Sequence, residues 1–308
     1  MLLRQILQSE KLFSGSPDTL LRSLQECFGS SDSCYMDTIC PARSDRTTFV
    51  RFLFPGAHGK TFGETCPTLG VIGQLGGLRI SALGPELVSD SDGALAAIAL
   101  AFKLKEMAEA GLRLDGDVII ATHLCTEAHR IRRTPVDFVD MPIPIREMQR
   151  ILVSQDMDAI ISLDTSKGNR ILSSRGIALT PVAKEGYILP LTESLIDAYE
   201  QVTGKPVQLL ALATQDITPY GNGLHHINSI MQPAIETAAP VMGVAFGAQT
   251  LVAGTAMNAS HPIDLEEAAR FCLEAAIRFS RDEELFYDRS AFAALKALYG
   301  PMDRLQKD

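Results

Sequence analysis

Residues 89–125, SDSDGALAAIALAFKLKEMAEAGLRLDGDVIIATHLC, decide the fold class. The segment starts at an acidic cap, is apolar almost all round through Phe102, and closes with two lysines and Gly111, which predicts a buried helix. The compact apolar run DVIIAT, residues 117–122, then predicts a buried strand. A buried helix that leads into a buried strand is typical of an α/β protein.

The same alternation continues on both sides of this segment. Short apolar runs predict further strands, and apolar positions at helical spacing predict helices near 191–201 and 265–279. We therefore predict an α/β fold, a three-layer sandwich around a mixed, largely parallel sheet. The strands are expected at 47–54, 68–74, 159–163, 207–214 and 240–254.

Two parts of the chain are expected to differ in role. Residues 1–28 carry apolar positions at helical spacing, interrupted by SGSPD, so residues 1–46 are predicted to form an N-terminal helical arm packed on the main domain. Such an arm suits an oligomer contact, and we expect a homo-oligomer. Residues 47–308 show no linker composition and are predicted to form a single α/β hydrolase-like domain.

Composition excludes several classes of partner. A formal net charge of −9 opposes a large phosphate-binding face, so no nucleic acid is expected. No apolar run approaches the roughly 20 residues of a membrane span, and the first residues do not resemble a signal peptide. Six cysteines without CxxC spacing favour reduced thiols, and we expect a cytoplasmic protein that acts on a small molecule or short peptide.

Polar and titratable residues follow nearly every apolar run. In α/β sheets, sites gather beyond the carboxyl ends of the strands, and zinc or manganese prefers imidazole nitrogen and carboxylate oxygen. The pattern therefore indicates a divalent metal site at one rim of the sheet. The residues concerned are Asp90, Asp92, His123, Cys125, Glu127, His129, Asp164, Asp216 and His261.

Each residue also has a structural interpretation. Asp90 or Asp92 suits the N-cap of the buried helix, and His261 precedes a capping pair in the string HPIDLEE. Asp164 suits a turn, and a half-buried His123 suits ordinary packing. Other motifs are missing: GVIGQLGG, residues 70–77, lacks the GxGxxG order, and no GxSxG string occurs.

Several strings resemble a known family. GVIGQLGG, LVSDSDGALAAI, TQDITPYGNGLHHINSI and ASHPIDLEEAARFC are similar to the uncharacterised bacterial family called domain of unknown function 1177, from about Phe49 onward. Their order more distantly resembles zinc-dependent aminopeptidases of the glutamyl and deblocking (tetrahedral) type. That resemblance implies a zinc-exopeptidase (phosphorylase/hydrolase-like) fold, here without a lid domain.

The resemblance also implies roles for individual residues. Asp90, with Asp92 as second choice, matches the bridging metal ligand, and Asp164 and His261 match two further ligands. The expected Glu pair is reduced to Glu127, and residues 70–77 contain no His or Asp where a further ligand is expected.

The leading hypothesis is a metal-dependent hydrolase of a small amide or peptide-like substrate, with zinc, manganese or cobalt as cofactor. Glu127 or His123 would activate a water. The first alternative is a catalytically degenerate protein of the same fold that binds a small molecule or assembles as an oligomer. The second is a cofactor-free acid/base enzyme that uses His123 and Cys125. The substrate pocket is expected to be lined by Asp216, Tyr220, Asn222, His226 and Asn228.

Overall fold

The structure is a computed structural model of the 308-residue chain. It describes all residues except 1, 16, 30–32, 42–46, 75–88, 126–129, 133–137, 140–142, 167, 169, 220–229, 253–259 and 308.

An eight-stranded mixed sheet forms the centre of the molecule, with the strand order β1-β2-β4-β3-β7-β10-β8-β9. The central strands β4, β3, β7 and β10 are parallel, whereas β2 and β8 run against their neighbours. The strands are β1 (Tyr35–Ile39), β2 (Thr47–Phe54), β3 (Leu69–Gly73), β4 (Val118–Cys125), β7 (Ala159–Thr165), β8 (Gly176–Lys184), β9 (Tyr187–Leu189) and β10 (Val241–Gly247), and a separate two-stranded sheet pairs β5 (Arg130–Ile131) with β6 (Phe138–Val139).

Helices cover both faces of the sheet and complete three layers. The long helix α3 is buried on all sides from Asp92 to Phe102, as its apolar sequence requires. The helices are α1 (Leu3–Phe13), α2 (Pro17–Phe28), α3 (Asp92–Glu109), α4 (Ile145–Leu152), α5 (Glu193–Thr203), α6 (Pro262–Phe279) and α7 (Arg289–Tyr299), with 3-10 turns at Lys60–Phe62, Ser89–Ser91, Thr214–Ile217, Gln232–Ile235 and Asp303–Leu305.

Two hydrophobic cores result. The first core lies between the sheet and α1, α3, α5 and α6, and the second lies between the opposite face and α4 with the turn Gln232–Ile235. Because the four parallel strands are buried on both faces, they carry continuous apolar runs instead of alternating ones. The predicted α/β sandwich with a mixed, largely parallel sheet is confirmed.

The N-terminal segment is tied to the sheet domain by polar contacts. The backbone N–H of Leu2 donates to Glu266 Oε1 at 2.9 Å, and Gln5 Nε2 donates to Glu106 Oε2 at 2.6 Å. Residues 1–46, predicted as a helical arm, also contain β1, which pairs with β2 as an edge strand of the sheet.

Two predicted strands differ in the structure. Residues 207–214 contain only a single bridge, between Leu209 and Leu179 of β8, because β9 occupies part of the same edge of β8 and the chain then enters a 3-10 turn. After β10 ends at Gly247, residues 248–252 form no strand because the chain leaves the sheet, and Leu251 is largely exposed. Among the helices of the described chain, none combines the length and apolar character needed to cross a bilayer.

Candidate functional site

The carboxyl ends of the parallel strands bring three polar side chains into one row. In the sheet register, Gly73 lies opposite both Thr122 of β4 and Leu163 of β7. The next position on each strand therefore lies at one level, and the alternation of side chains directs all three towards the second core. All three side chains are only 1% exposed. This carboxyl-edge row consists of His123, Gln74 and Asp164.

Spacing in the row limits its chemistry. Neighbouring strands lie about 5 Å apart, so His123 and Asp164 are about 10 Å apart at the backbone, with Gln74 between them. A direct pair of histidine and aspartate is therefore not built into the row. An amide that can donate and accept hydrogen bonds occupies its middle position.

Sequence reasoning missed the polar network around Gln74. Its Nε2 donates to Ser162 Oγ at 3.3 Å, and its Oε1 accepts from Gln149 Nε2 of α4 at 3.2 Å. All three side chains are buried beside the apolar residues of the second core. The available signal was a glutamine directly after the buried run LGVIG, and another on the inward face of α4 beside Met148.

The N-terminal end of α3 packs directly on this edge. Thr165 Oγ1 donates to the carbonyl oxygen of Ser89 at 2.6 Å. A Cβ atom on Gly93 would lie 2.3 Å from the carbonyl oxygen of Leu163 and 2.9 Å from that of Gln74, so only glycine fits this approach. Close packing therefore holds the start of α3 against β3 and β7.

Two of the predicted metal ligands lie at this helix start. Asp90 and Asp92 are both buried, and Ser91 between them is the N-cap residue, without a side-chain cap hydrogen bond. Both aspartates lie in the first turn of a helical segment, where a carboxylate is favourable, so a role at the helix start is compatible with their burial. Asp164 is buried nearby, where its Oδ1 accepts from the backbone N–H of Thr165 at 2.7 Å.

A hydrogen bond also connects the segment before α6 to the start of α3. Ser260 Oγ donates to Asp92 Oδ1, which brings the adjacent His261 to the start of α3. His261 is half-buried and is the N-cap residue of α6, again without a side-chain cap hydrogen bond. The expected capping pair is absent: Asp264 is paired with Arg175, and Glu267 is paired with Lys205.

His123 has a strongly perturbed environment. Its ring lies 5.7 Å from the ring of Phe49, centroid to centroid. Burial lowers the pKa of His123 from 6.5 to about 4, because the charged imidazolium loses its hydration. At neutral pH the imidazole is therefore uncharged and offers a nitrogen lone pair.

Asp216 is held in its own turn. Its Oδ2 accepts from the backbone N–H of Ala213 at 2.7 Å, and its backbone N–H donates to the carbonyl oxygen of Ala213 at 3.0 Å. The side chain is fully buried beside the second core. These contacts give Asp216 a structural role in the 3-10 turn, and its predicted contact with substrate stays a prediction. Glu127, Tyr220, Asn222, His226 and Asn228 lie outside the described residues.

The metal ligands predicted from the sequence have the chemical groups that a divalent ion prefers, but too few of these described residues lie close together to bind one. Buried carboxylates repel one another, and a divalent cation would relieve that repulsion. Within the part of the chain that the structure describes, however, no three His, Cys, Asp or Glu side chains come close enough together to hold a metal ion. Asp90, Asp164 and His261 are therefore not brought together as one ligand set, although hydrogen bonds link their neighbours, Thr165 to Ser89 and Ser260 to Asp92.

Comparison with known proteins identifies the family. The family described as "Protein of unknown function (DUF1177)" matches residues 40–308. The chain belongs to the DUF1177 family. This confirms the resemblance carried by the sequence strings. No curated protein matches the chain.

Solved structures that are similar to this DUF1177 chain include aminopeptidases. A tomato leucine aminopeptidase mutant aligns with a TM-score of 0.53 and 12% identity, over 88% of this chain and 60% of its own. Leucine aminopeptidase from Caenorhabditis elegans aligns with a TM-score of 0.53 and 12% identity, over 90% of this chain and 65% of its own. A TET aminopeptidase from a marine sediment archaeon of the Thaumarchaeota aligns with a TM-score of 0.48 and 10% identity, over 89% and 97%. The chain thus spans less than two thirds of the two leucine aminopeptidases, and the likeness shows the aminopeptidase fold.

Proposed function

We propose that this protein is a metal-dependent hydrolase of a small amide or peptide-like substrate. The observation that carries the proposal is the burial of Asp90, Asp92 and Asp164 at one carboxyl edge of an aminopeptidase-like sheet. Burying a carboxylate is costly, and a bound cation would offset that cost. Zinc is the expected ion, with manganese or cobalt as alternatives.

The chain's own residues would divide the work. Asp90, Asp164 and His261 would hold the ion, with Asp92 oriented by Ser260. The ion would supply Lewis-acid polarisation of the substrate carbonyl and a lower pKa for an attacking water. The remaining steps depend on groups that accept and deliver the proton.

The low pKa of His123 separates the two candidate bases. A general base works best when its pKa lies near the working pH, and an imidazole with a pKa of about 4 is a weak proton acceptor at pH 7. We therefore assign the proton transfer to Glu127, and give His123 the role of a neutral hydrogen-bond partner or ligand. The Gln149–Gln74–Ser162 network would keep the floor of the site fixed.

The test combines metal content with turnover. Protein stripped by chelator is reloaded with zinc, manganese or cobalt and assayed on amino-acid amides and short peptides. We expect Asp90→Asn and Asp164→Asn to lose most of the bound metal and at least about 100-fold in turnover. Asp197→Asn, at an exposed position of α5, is the matched control and should retain both. Unchanged metal content and turnover in both site variants would contradict the proposal.

A second candidate function rests on the middle of the carboxyl-edge row. Gln74 is not a typical metal ligand, and the described residues give no three-ligand group. A protein of this fold that binds a small molecule without hydrolysis would have these features. Turnover of any substrate in the panel that depends on added metal excludes this candidate. The cytoplasmic location and the homo-oligomeric state stay predictions.

A further inference from the structure

A separate cleft of about 230 Å³ opens at the opposite end of the sheet. Its floor includes Pro67, Asp158 and Pro240, which stand just before the parallel strands β3, β7 and β10. Phe279 at the end of α6 and Tyr287 complete its apolar lining. Since the candidate site lies at the carboxyl ends of the same strands, this amino-edge cleft is a different place on the molecule.

The charged groups of the amino-edge cleft balance. Lys60 Nζ lies 2.6 Å from Asp158 Oδ2, and Arg289 Nη2 is paired with Glu283 Oε2. The lining therefore holds two positive and two negative groups. Their side chains are 36% to 54% exposed, so all four are accessible to a ligand.

The rest of the lining is fixed by the fold. The backbone N–H of Thr68 donates to Asp158 Oδ2 at 2.7 Å, and the N–H of Asp158 donates back to the carbonyl oxygen of Thr68 at 2.9 Å. The Tyr287 ring packs edge-on against Phe292 at 5.6 Å. Little ordering of the floor is required when a ligand enters, which favours binding.

Balanced charge and mixed polarity select the class of ligand. A polyanion or a polycation would meet two like charges, and a purely apolar molecule would remove water from four charged groups without replacing the hydrogen bonds lost to that water. We propose that the amino-edge cleft binds a small zwitterion the size of one amino acid. Its carboxylate would contact Lys60 and Arg289, and its ammonium group would contact Asp158 and Glu283.

Size and packing narrow the class further. A volume of 230 Å³ corresponds to about eight water molecules at ~30 Å³ each, below the usual range for larger ligands. The proline rings, Phe279 and Tyr287 suit an apolar side chain such as that of leucine. Exposed ion pairs contribute little to stability, so exchanging their partners for a ligand is not costly.

Calorimetric titration of the whole chain with L-leucine tests the proposal. We expect one binding site per chain, and at least a 10-fold weaker affinity for 4-methylpentanoate, which lacks the ammonium group, and for 3-methylbutylamine, which lacks the carboxylate; neither contains an amide bond. Asp158→Asn and Arg289→Gln should each weaken leucine binding at least 5-fold. Lys307→Gln, which breaks an exposed ion pair with Asp303 elsewhere, is the matched control and should leave binding unchanged.

Binding at the candidate site must be distinguished from binding at the amino-edge cleft. Asp164→Asn should leave leucine affinity unchanged, and circular dichroism verifies that each variant is folded. The proposal is overturned if millimolar leucine gives no heat of binding, or if either of the two analogues binds as tightly as leucine. It is equally overturned if the cleft variants keep wild-type affinity while Asp164→Asn loses it. None of these outcomes depends on whether the protein hydrolyses anything.

Discussion

Replacing His123 by glutamine should remove a large part of the decrease in folding stability that this protein undergoes when the pH is lowered. His123 is buried beside the second core, and burial lowers its pKa from 6.5 to about 4. The unfolded chain takes up a proton at this residue near pH 6.5, whereas the folded chain resists it until about pH 4. Folding stability therefore falls as pH decreases through this window, because the unfolded state binds more protons.

The magnitude follows from the two pKa values. A difference of about 2.5 units corresponds to about 3 kcal/mol once pH is below both values. Integrated only from pH 7.5 to 5.0, where other buried carboxylates are less disturbed, the loss is about 2 kcal/mol. The effect vanishes above about pH 7.5, where the histidine is neutral in both states.

Urea unfolding followed by far-ultraviolet circular dichroism measures this difference, since the chain contains no tryptophan. Wild type and His123→Gln are compared at both pH values in the presence of chelator. We expect the stability of wild type relative to the variant to fall by about 2 kcal/mol at the lower pH. His58→Gln removes a largely exposed histidine and is the control for losing one imidazole.

A relative stability that changes by less than about 0.5 kcal/mol between the two pH values, or that changes in the opposite direction, would refute the reasoning. Such a result would mean that His123 is hydrated or charged in the folded protein. The assignment of His123 as a neutral group in the candidate site would then fail as well.

Three further substitutions test the packing around the sheet, each by urea unfolding. Gly93→Ala should lower the free energy of unfolding by at least about 3 kcal/mol, because the added Cβ would overlap a carbonyl oxygen of β7. The control Gly204→Ala lies in open space at a positive φ and should lower it by about 1 kcal/mol. Equal losses in the two variants would contradict the close approach of α3 to the sheet. Asp117→Asn should lower the free energy of unfolding by about 2 to 4 kcal/mol, because this buried carboxylate accepts three hydrogen bonds from the loop after β2. The control Asp115→Asn removes a charge from a partly exposed ion pair and should lower it by less than about 1 kcal/mol. Ser260→Ala should cost about 2 kcal/mol through the lost hydrogen bond to a buried carboxylate at the start of α3, and an unchanged stability would remove that link from the site.

The local sequence correctly predicted those helices and strands that are surrounded by apolar residues on all sides or on one whole face. Residues 47–54 form a strand with the predicted bounds, and α3 and β4 follow from their apolar runs. Burial on both faces leaves no room for polar residues, so composition alone reveals such elements.

Prediction failed where the environment of a residue is set by a distant part of the chain. The strand β8 was missed although it lies beside β10, and Pro181 within it is a signal against a central strand. The structure accommodates the proline at an irregularity in the pairing, where Thr180 Oγ1 accepts from the backbone N–H of Gly243 at 2.8 Å. The Thr180 hydroxyl can replace the missing backbone hydrogen bond only because β10 lies beside it, and the local sequence of β8 does not reveal that neighbour.

The candidate site shows the same division. From the sequence alone came the fold class, the family resemblance and the acidic residues at the strand ends, because these depend on runs of adjacent residues. The register of the parallel strands was needed to find that Gln74 separates His123 from Asp164, and that Ser260 links Asp92 to the start of α6. Pairing between strands distant in sequence is decided by the packing of the whole sheet, which no local pattern records.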